Sequence, residues 1–162
     1  MKFNLIYFII IFIIIIYIYC YFVFPSTIQI IQTNLSDFNF SLLYLRQPIV
    51  IPDYLEEKEK LIYSWFNYNF INYLSIDNYL DDWYHNNHKY LFINALEDTE
   101  IIIYKASIYS NKPEENDKII AIKLEKKQSL IIPFKWKYYI KKNDVDIWTI
   151  DDIITSFLRF VF

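Results

Sequence analysis

The run Asp81-Asp82-Trp83-Tyr84-His85-Asn86-Asn87-His88 holds both histidines of a 162-residue chain. It is the stretch whose residue types and spacing come nearest to chemistry. On a helix, His85 and His88 at i, i+3 share a face and Asp81 or Asp82 supplies an oxygen, a donor set for a divalent metal. The plainer reading, which the residue types favour, is a polar loop feeding a strand at Tyr90, with histidines that cap or face solvent. The zinc-protease pattern H-E-x-x-H is absent, because neither asparagine between the histidines serves as its base. A second cluster interleaves Lys123, Lys126, Lys127, Lys135, Lys137, Lys141 and Lys142 with Trp136, Tyr138 and Tyr139. Such a pattern could contact phosphates or anionic headgroups, but the solvated outer face of a sheet explains it better. The pairs Glu56-Glu57, Glu114-Glu115 and Asp151-Asp152 read as helix starts or solvated loop and not as acid–base machinery.

Composition excludes more than these motifs offer. The chain has no glycine, so no P-loop, dinucleotide fingerprint, nucleophile elbow, EF-hand or kinase Gly-rich loop can be written in it. Cys20 is the single cysteine, inside an apolar run, which leaves no intrachain disulfide and no cysteine-based zinc site and reads as a lipid-facing side chain. With 16 basic against 19 acidic residues, net −3, the chain is not an electrostatic nucleic-acid binder. Abundant Ile, Tyr, Phe, Lys and Asn without glycine is the mark of A+T-rich codons, as in a large DNA virus or a protist parasite.

Around these residues the chain divides into three. Leu5–Phe24 runs without a charge, long enough as a helix to cross a bilayer, and it lacks the small-residue cleavage site of a signal peptide. Residues 1–24 are therefore expected to be an uncleaved, single-pass transmembrane signal anchor whose partner, over residues 5–24, is the lipid bilayer. Lys2 before the span and no basic residue after it until Arg46 orient the N-terminus to the cytosol and the domain to the lumen or exterior. The sequons at Asn34 and Asn39 are compatible with that side. Residues 25–44, polar to mixed, read as a stalk or linker, and residues 45–162 as one domain.

Within that domain Pro48–Ile51 reads as a short strand. A Pro52-Asp53 turn then caps a helix from about Tyr54, with Leu55, Leu61, Ile62, Trp65 and Phe66 as its apolar stripe. Strands are expected at Tyr90–Leu96, Ile101–Lys105, Ile119–Leu124, Ser129–Ile132 and Lys135–Ile140. Two alternate cleanly: Ile120, Ile122 and Leu124 share one face, as do Phe134, Trp136, Tyr138 and Ile140, which predicts half-buried antiparallel sheet. Ile150–Phe162 is expected as a helix with Asp151 or Asp152 at its start and Ile153, Ile154, Phe157, Leu158 and Val161 on one face. Without glycine, left-handed turns must fall on other residues, and Asn86-Asn87 and Lys142-Asn143-Asp144 are the expected places.

The stretch Leu124–Ile140, LEKKQSLIIPFKWKYYI, resembles the second conserved motif of cupin-like jelly rolls of the JmjC-related type, approximately L-x-P-G-D-x-L-x-I-P-x-G-W-W-H-x-V. Leu124, Leu130, Ile132, Pro133 and Trp136 occupy its apolar, proline and tryptophan positions without a gap. Tyr90–Lys105 looks like the preceding hairpin and Pro48–Pro52 like the opening strand. The resemblance implies a cupin-like double-stranded β-helix (jelly roll), mainly β with flanking helices, behind the transmembrane helix. It also implies an iron site here lost: Tyr138 stands at the motif's metal-binding histidine, Lys127 at its turn glycine and Gln128 at the acidic residue beside it. The expected function is a membrane-anchored, non-catalytic structural or interaction module, in a viral membrane, with a protein partner and neither cofactor nor catalytic residue. The alternative is a relative of the iron- and 2-oxoglutarate-dependent oxygenases using Asp82, His85 and His88. A third reading places a small ligand inside an emptied barrel.

Overall fold

The computed structural model describes residues 2–22, 25, 27–54, 56–74, 82–105, 112–115, 117–141 and 144–161, the side chains of 2–5, 20–22 and 160–161 excepted. Its body is two β-sheets packed face to face with helices outside them. Ten strands and four α-helices follow one another among the described residues: α1 (Lys2–Phe22), β1 (Ile31–Gln32), α2 (Ser41–Tyr44), β2 (Ile49–Ile51), α3 (Lys58–Trp65), β3 (Phe70–Leu74), β4 (Tyr84–His85), β5 (Tyr90–Ala95), β6 (Thr99–Lys105), β7 (Ile119–Leu124), β8 (Ser129–Pro133), β9 (Trp136–Ile140), β10 (Val145–Asp151) and α4 (Ile153–Val161). The six-stranded sheet has the order β1-β2-β8-β5-β10-β3 and the four-stranded sheet β4-β9-β6-β7. All pairings are antiparallel except β1 with β2.

The core lies between the sheets. Leu91, Ile93, Leu130, Ile132 and Ile147 from one sheet meet Ile101, Ile103, Ile122, Trp136, Tyr138 and Ile140 from the other. That is the inward half of each two-residue repeat, as the alternation in β7 and β9 predicts. A second cluster covers the back of the six-stranded sheet, where Ile62 and Phe66 of α3 and its C-terminus pack on Ile49, Phe92, Ile131, Trp148 and Ile150. Strands β5 and β10 are thereby covered on both faces, and β10 is buried along nearly its whole length.

Several expectations are corrected. No helix among the described residues is long and apolar enough to cross a membrane, which overturns the transmembrane signal anchor and the single-pass placement with cytosolic N-terminus and lumenal or exterior domain. The side chains of α1 are described over residues 6–19, about 21 Å of helix against the roughly 30 Å of a hydrocarbon core. Within that stretch the Tyr17 hydroxyl donates to Asp152 at 2.5 Å. Residues 23 and 24 of the expected span lie outside the described residues, as do the side chains of Leu5 and Cys20. Residues 25–44 are no free stalk: Ile31 pairs with Ile49, Leu43 is buried, and Gln47 holds the strand's approach by donating to the Thr27 carbonyl at 2.6 Å and accepting from the Gln29 amide at 3.2 Å.

The chain's end also differs. Ile150 and Asp151 finish β10, and α4 begins only at Ile153. Asp152 caps it reciprocally with Thr155, accepting from the Thr155 amide at 2.8 Å while its own amide donates to Thr155 Oγ1 at 2.9 Å. Leu158 is buried, but Ile153 and Phe157 are exposed, so they do not join it on one packed face. The left-handed residues among those described are Arg46 (φ 54°), Lys127 (71°) and Lys135 (70°), not Asn86-Asn87; Lys142-Asn143 lie outside the described residues.

Candidate functional site

The expected metal donors do not converge. Asp82 is exposed, and its carboxylate accepts from the Trp83 amide at 2.8 Å; Asp81 lies outside the described residues. His85 ends β4, a strand and not a helix, opposite Lys137 of β9. Desolvation by surrounding atoms, then the ammonium groups of Lys137 and Lys135, hold its imidazole down at about 4, although the residue keeps an exposed face. His88 lies in the bend before β5, its Nδ1 2.6 Å from Asp151 Oδ2. No group of three His, Cys, Asp or Glu side chains that could hold a metal forms among the described residues. The donor set therefore does not fit the oxygenase iron.

Asn86, between these histidines, has a structural task. Buried, it donates through Nδ2 to the carbonyls of Ile132 and Pro133 at 2.8 and 2.9 Å and accepts from the His88 amide at 3.0 Å. Its backbone brackets the β8–β9 turn through Asn86 N to Trp136 O and Lys135 N to Asn86 O, at 2.9 and 2.8 Å. That turn carries the left-handed Lys135. Tyr138, which the resemblance aligns with a metal-binding histidine, is 2% exposed and points into the core, its ring 5.8 Å from that of Tyr84.

The outer face of the four-stranded sheet is less solvated than its lysines suggest. Register puts His85, Lys137 and Tyr104 in one row across β4, β9 and β6. Trp83 packs edge-on against Tyr104 at 4.9 Å and tilted against Tyr139 at 5.5 Å. Lys137 is left 4% exposed, and desolvation lowers its pKa against the raising influence of Asp117. The Tyr104 hydroxyl is buried without a hydrogen-bond partner among the described residues, and burial, then Asp117 and Glu114, pushes it up to about 12.

At one end of the six-stranded sheet, charge and open space meet. Asp151, buried at the end of β10, accepts from His88 and from the Lys89 amide at 3.1 Å. Burial opposes its ionisation, but these bonds, the charge of His88 and Thr155 outweigh it and hold the carboxyl below its ordinary range. Asp152 behaves alike: burial opposes ionisation, and hydrogen bonds from Tyr17, Thr155 and Lys89 overcome it. Lys89 Nζ sits 2.9 Å from Asp152. Beside this network opens a cavity of about 790 Å³ between the end of α1, helices α2 and α3, and the edge of the sandwich. Its apolar wall includes Phe40, Leu43, Trp65, Phe66, Tyr90 and Phe134; Arg46 and Lys89 are its charged residues.

Sequence reasoning missed this place. One signal was available: in a chain whose codon bias makes lysine the default cation, Arg46 is one of two arginines. Comparison with protein-family models, with curated proteins and with solved structures gives no match.

Proposed function

We propose that the chain is a non-catalytic, cupin-like β-sandwich that works by binding, as an interaction module. The observation that carries this is the interior between the sheets, where the jelly-roll enzymes keep their metal and where this chain packs Trp136, Tyr138, Ile101, Ile103 and Ile147 against one another. Large apolar side chains in that space support a reading without a metal, a cosubstrate or an interior ligand. The winding supports the cupin-like assignment. Counting from β3 to β10, the first, third, sixth and eighth strands lie in one sheet and the second, fourth, fifth and seventh in the other, the alternation of a jelly roll. Lys127, aligned with the motif's turn glycine, adopts the φ of 71° that a glycine there would serve.

The test is elemental analysis of the full chain after separate incubation with Fe(II), Mn(II) and Zn(II), followed by gel filtration. The expected result is no stoichiometric metal. One equivalent retained, and lost in His85→Ala or His88→Ala, would overturn the reading in favour of an atypical oxygenase.

A further inference from the structure

The cavity at the end of the six-stranded sheet, about 790 Å³, lies in the size range of small-molecule pockets, roughly 300–1,000 Å³. Its apolar wall is fixed by contacts among its own rings. Trp65 stacks on Phe38 at 4.2 Å and meets Phe66 edge-on at 6.5 Å, Phe40 stands edge-on to Trp65 and Phe66, and Phe66 continues to Tyr90 at 5.8 Å. Rings held by one another in this way lose little freedom on binding, so the wall is preorganised. Beside it Tyr44 and Leu45 are 84% and 50% exposed, apolar surface that a bound ligand would cover.

The charges of this cavity are already engaged. Lys89 is paired with Asp152 at 2.9 Å, and Arg46 has an interaction partner of its own. No Asp or Glu lines the space among the described residues. A charged ligand would therefore leave water without an unpaired counter-charge to receive it.

What remains unmet is one neutral donor. The half-buried Tyr90 is held by the ring of Phe66 and by Lys89 Nζ, 5.8 Å from its own ring. Its hydroxyl makes no hydrogen bond among the described residues, in contrast to Tyr17, whose hydroxyl donates to Asp152. The groups that act on the Tyr90 hydroxyl electrostatically, Lys89, Tyr17, Tyr44 and Arg46, all line the cavity, which places the hydroxyl on the cavity side. Burial is the largest influence on it and pushes it up to about 12, so it stays protonated and donates at neutral pH. A desolvated donor without an acceptor is costly, and an acceptor carried in by a ligand removes that cost.

We propose that this cavity binds an uncharged, ring-bearing lipophile through a carbonyl oxygen, its apolar body against Phe40, Trp65 and Phe66 and its carbonyl accepting from the Tyr90 hydroxyl. A carbonyl meets that donor without adding a donor that would itself need an acceptor. The inference rests on the reading of the chain as a binding module and adds the class of ligand.

Equilibrium dialysis of the full chain against benzophenone and against diphenylmethane separates the hydrogen bond from the apolar contact, because the two differ only in a carbonyl for a methylene. Benzophenone is expected to bind one per chain and about fivefold tighter than diphenylmethane, the contribution of one neutral hydrogen bond. Its charged analogue, benzoylbenzoate, is expected to bind at least about tenfold more weakly than benzophenone. Tyr90→Phe is expected to erase the preference for the ketone and leave diphenylmethane affinity unchanged. Leu45→Trp, at a half-exposed position lining the cavity, is expected to abolish binding of both with an unaltered melting curve. Equal affinity for ketone and hydrocarbon, or a preference that survives Tyr90→Phe, overturns the bond from Tyr90. Benzoylbenzoate bound as tightly as benzophenone overturns the uncharged class, and binding undiminished in Leu45→Trp overturns the location. Binding of neither neutral probe overturns the ligand class, whereas the metal analysis above judges the non-catalytic reading independently.

Discussion

The two aromatic regions of this molecule are made of the same residue types and do opposite things. Between the sheets, Trp136 and Tyr138 sit in a closed volume, 0% and 2% exposed. Outside the six-stranded sheet, Phe40, Trp65 and Tyr44 wall an open cavity, with Phe40 45% and Tyr44 84% exposed. The difference is in what stands opposite. Two sheets face to face bring side chains against one another, whereas α2 and α3 cover the back of the six-stranded sheet through Leu43, Ile62 and Phe66 and leave a space open between themselves and the end of α1. Aromatic composition therefore marks neither core nor site by itself.

Substitutions turn this contrast into numbers. Trp136→Ala removes a fully buried side chain and leaves the Arg46 carbonyl without its donor; a loss of about 3–5 kcal/mol is expected in urea unfolding of the full chain. Phe40→Ala, on the open wall, is expected to cost less than about 1 kcal/mol. Equal costs would mean that the cavity wall is core and would break the comparison.

Next in size is the network at the cavity's rim. Asp151→Asn leaves His88 and the Lys89 amide beside a weaker acceptor, with an expected cost of about 2 kcal/mol. The pH dependence has a definite sign. Asp151 and Asp152 are held below their unfolded values, so their contribution is fully present above about pH 4. It is lost as pH falls from there through the lowered folded values. Acid titration of stability should show this loss in the parent and a smaller one in Asp151→Asn; identical profiles would remove Asp151 from the account.

The smallest effects lie on the outer face of the four-stranded sheet. Lys137 is 4% exposed and paired with no carboxylate among the described residues, so Lys137→Met is expected to be neutral or to stabilise by about 1 kcal/mol. Tyr104→Phe deletes a buried hydroxyl that has no hydrogen-bond partner among the described residues and should stabilise by up to about 1 kcal/mol. A clear destabilisation by either would show that this row makes interactions the sandwich depends on.

Particular strands show how far the sequence could be read. β7 and β9 have one covered face and one outward face, so their period of two is visible and Ile122, Leu124, Trp136 and Tyr138 are assigned inward correctly. β10, Val-Asp-Ile-Trp-Thr-Ile-Asp, is covered on both sides and shows no alternation, so in the sequence its end reads as the start of a helix. β3, short and at the edge of its sheet, passed unnoticed for want of a buried face, its residues being exposed or half-buried. Among candidate site residues, the spacing of His85 and His88 suggested a shared helix face, but a strand and a bend carry them to different partners.

By itself the sequence determined what depends on near neighbours. It excluded every glycine-dependent loop, set the inward faces of β7 and β9, and put Pro133 and Trp136 on either side of the β8–β9 turn. Tertiary structure alone decided what depends on distant pairing. That includes which sheet each strand joins, the meeting of His88 with Asp151 across 63 residues, and the hold of Trp136 on Arg46 across 90. Local periodicity is written into each segment by the geometry of the backbone, while the choice of partner is made by the folding of the whole chain, where many segments compete to cover the same apolar face.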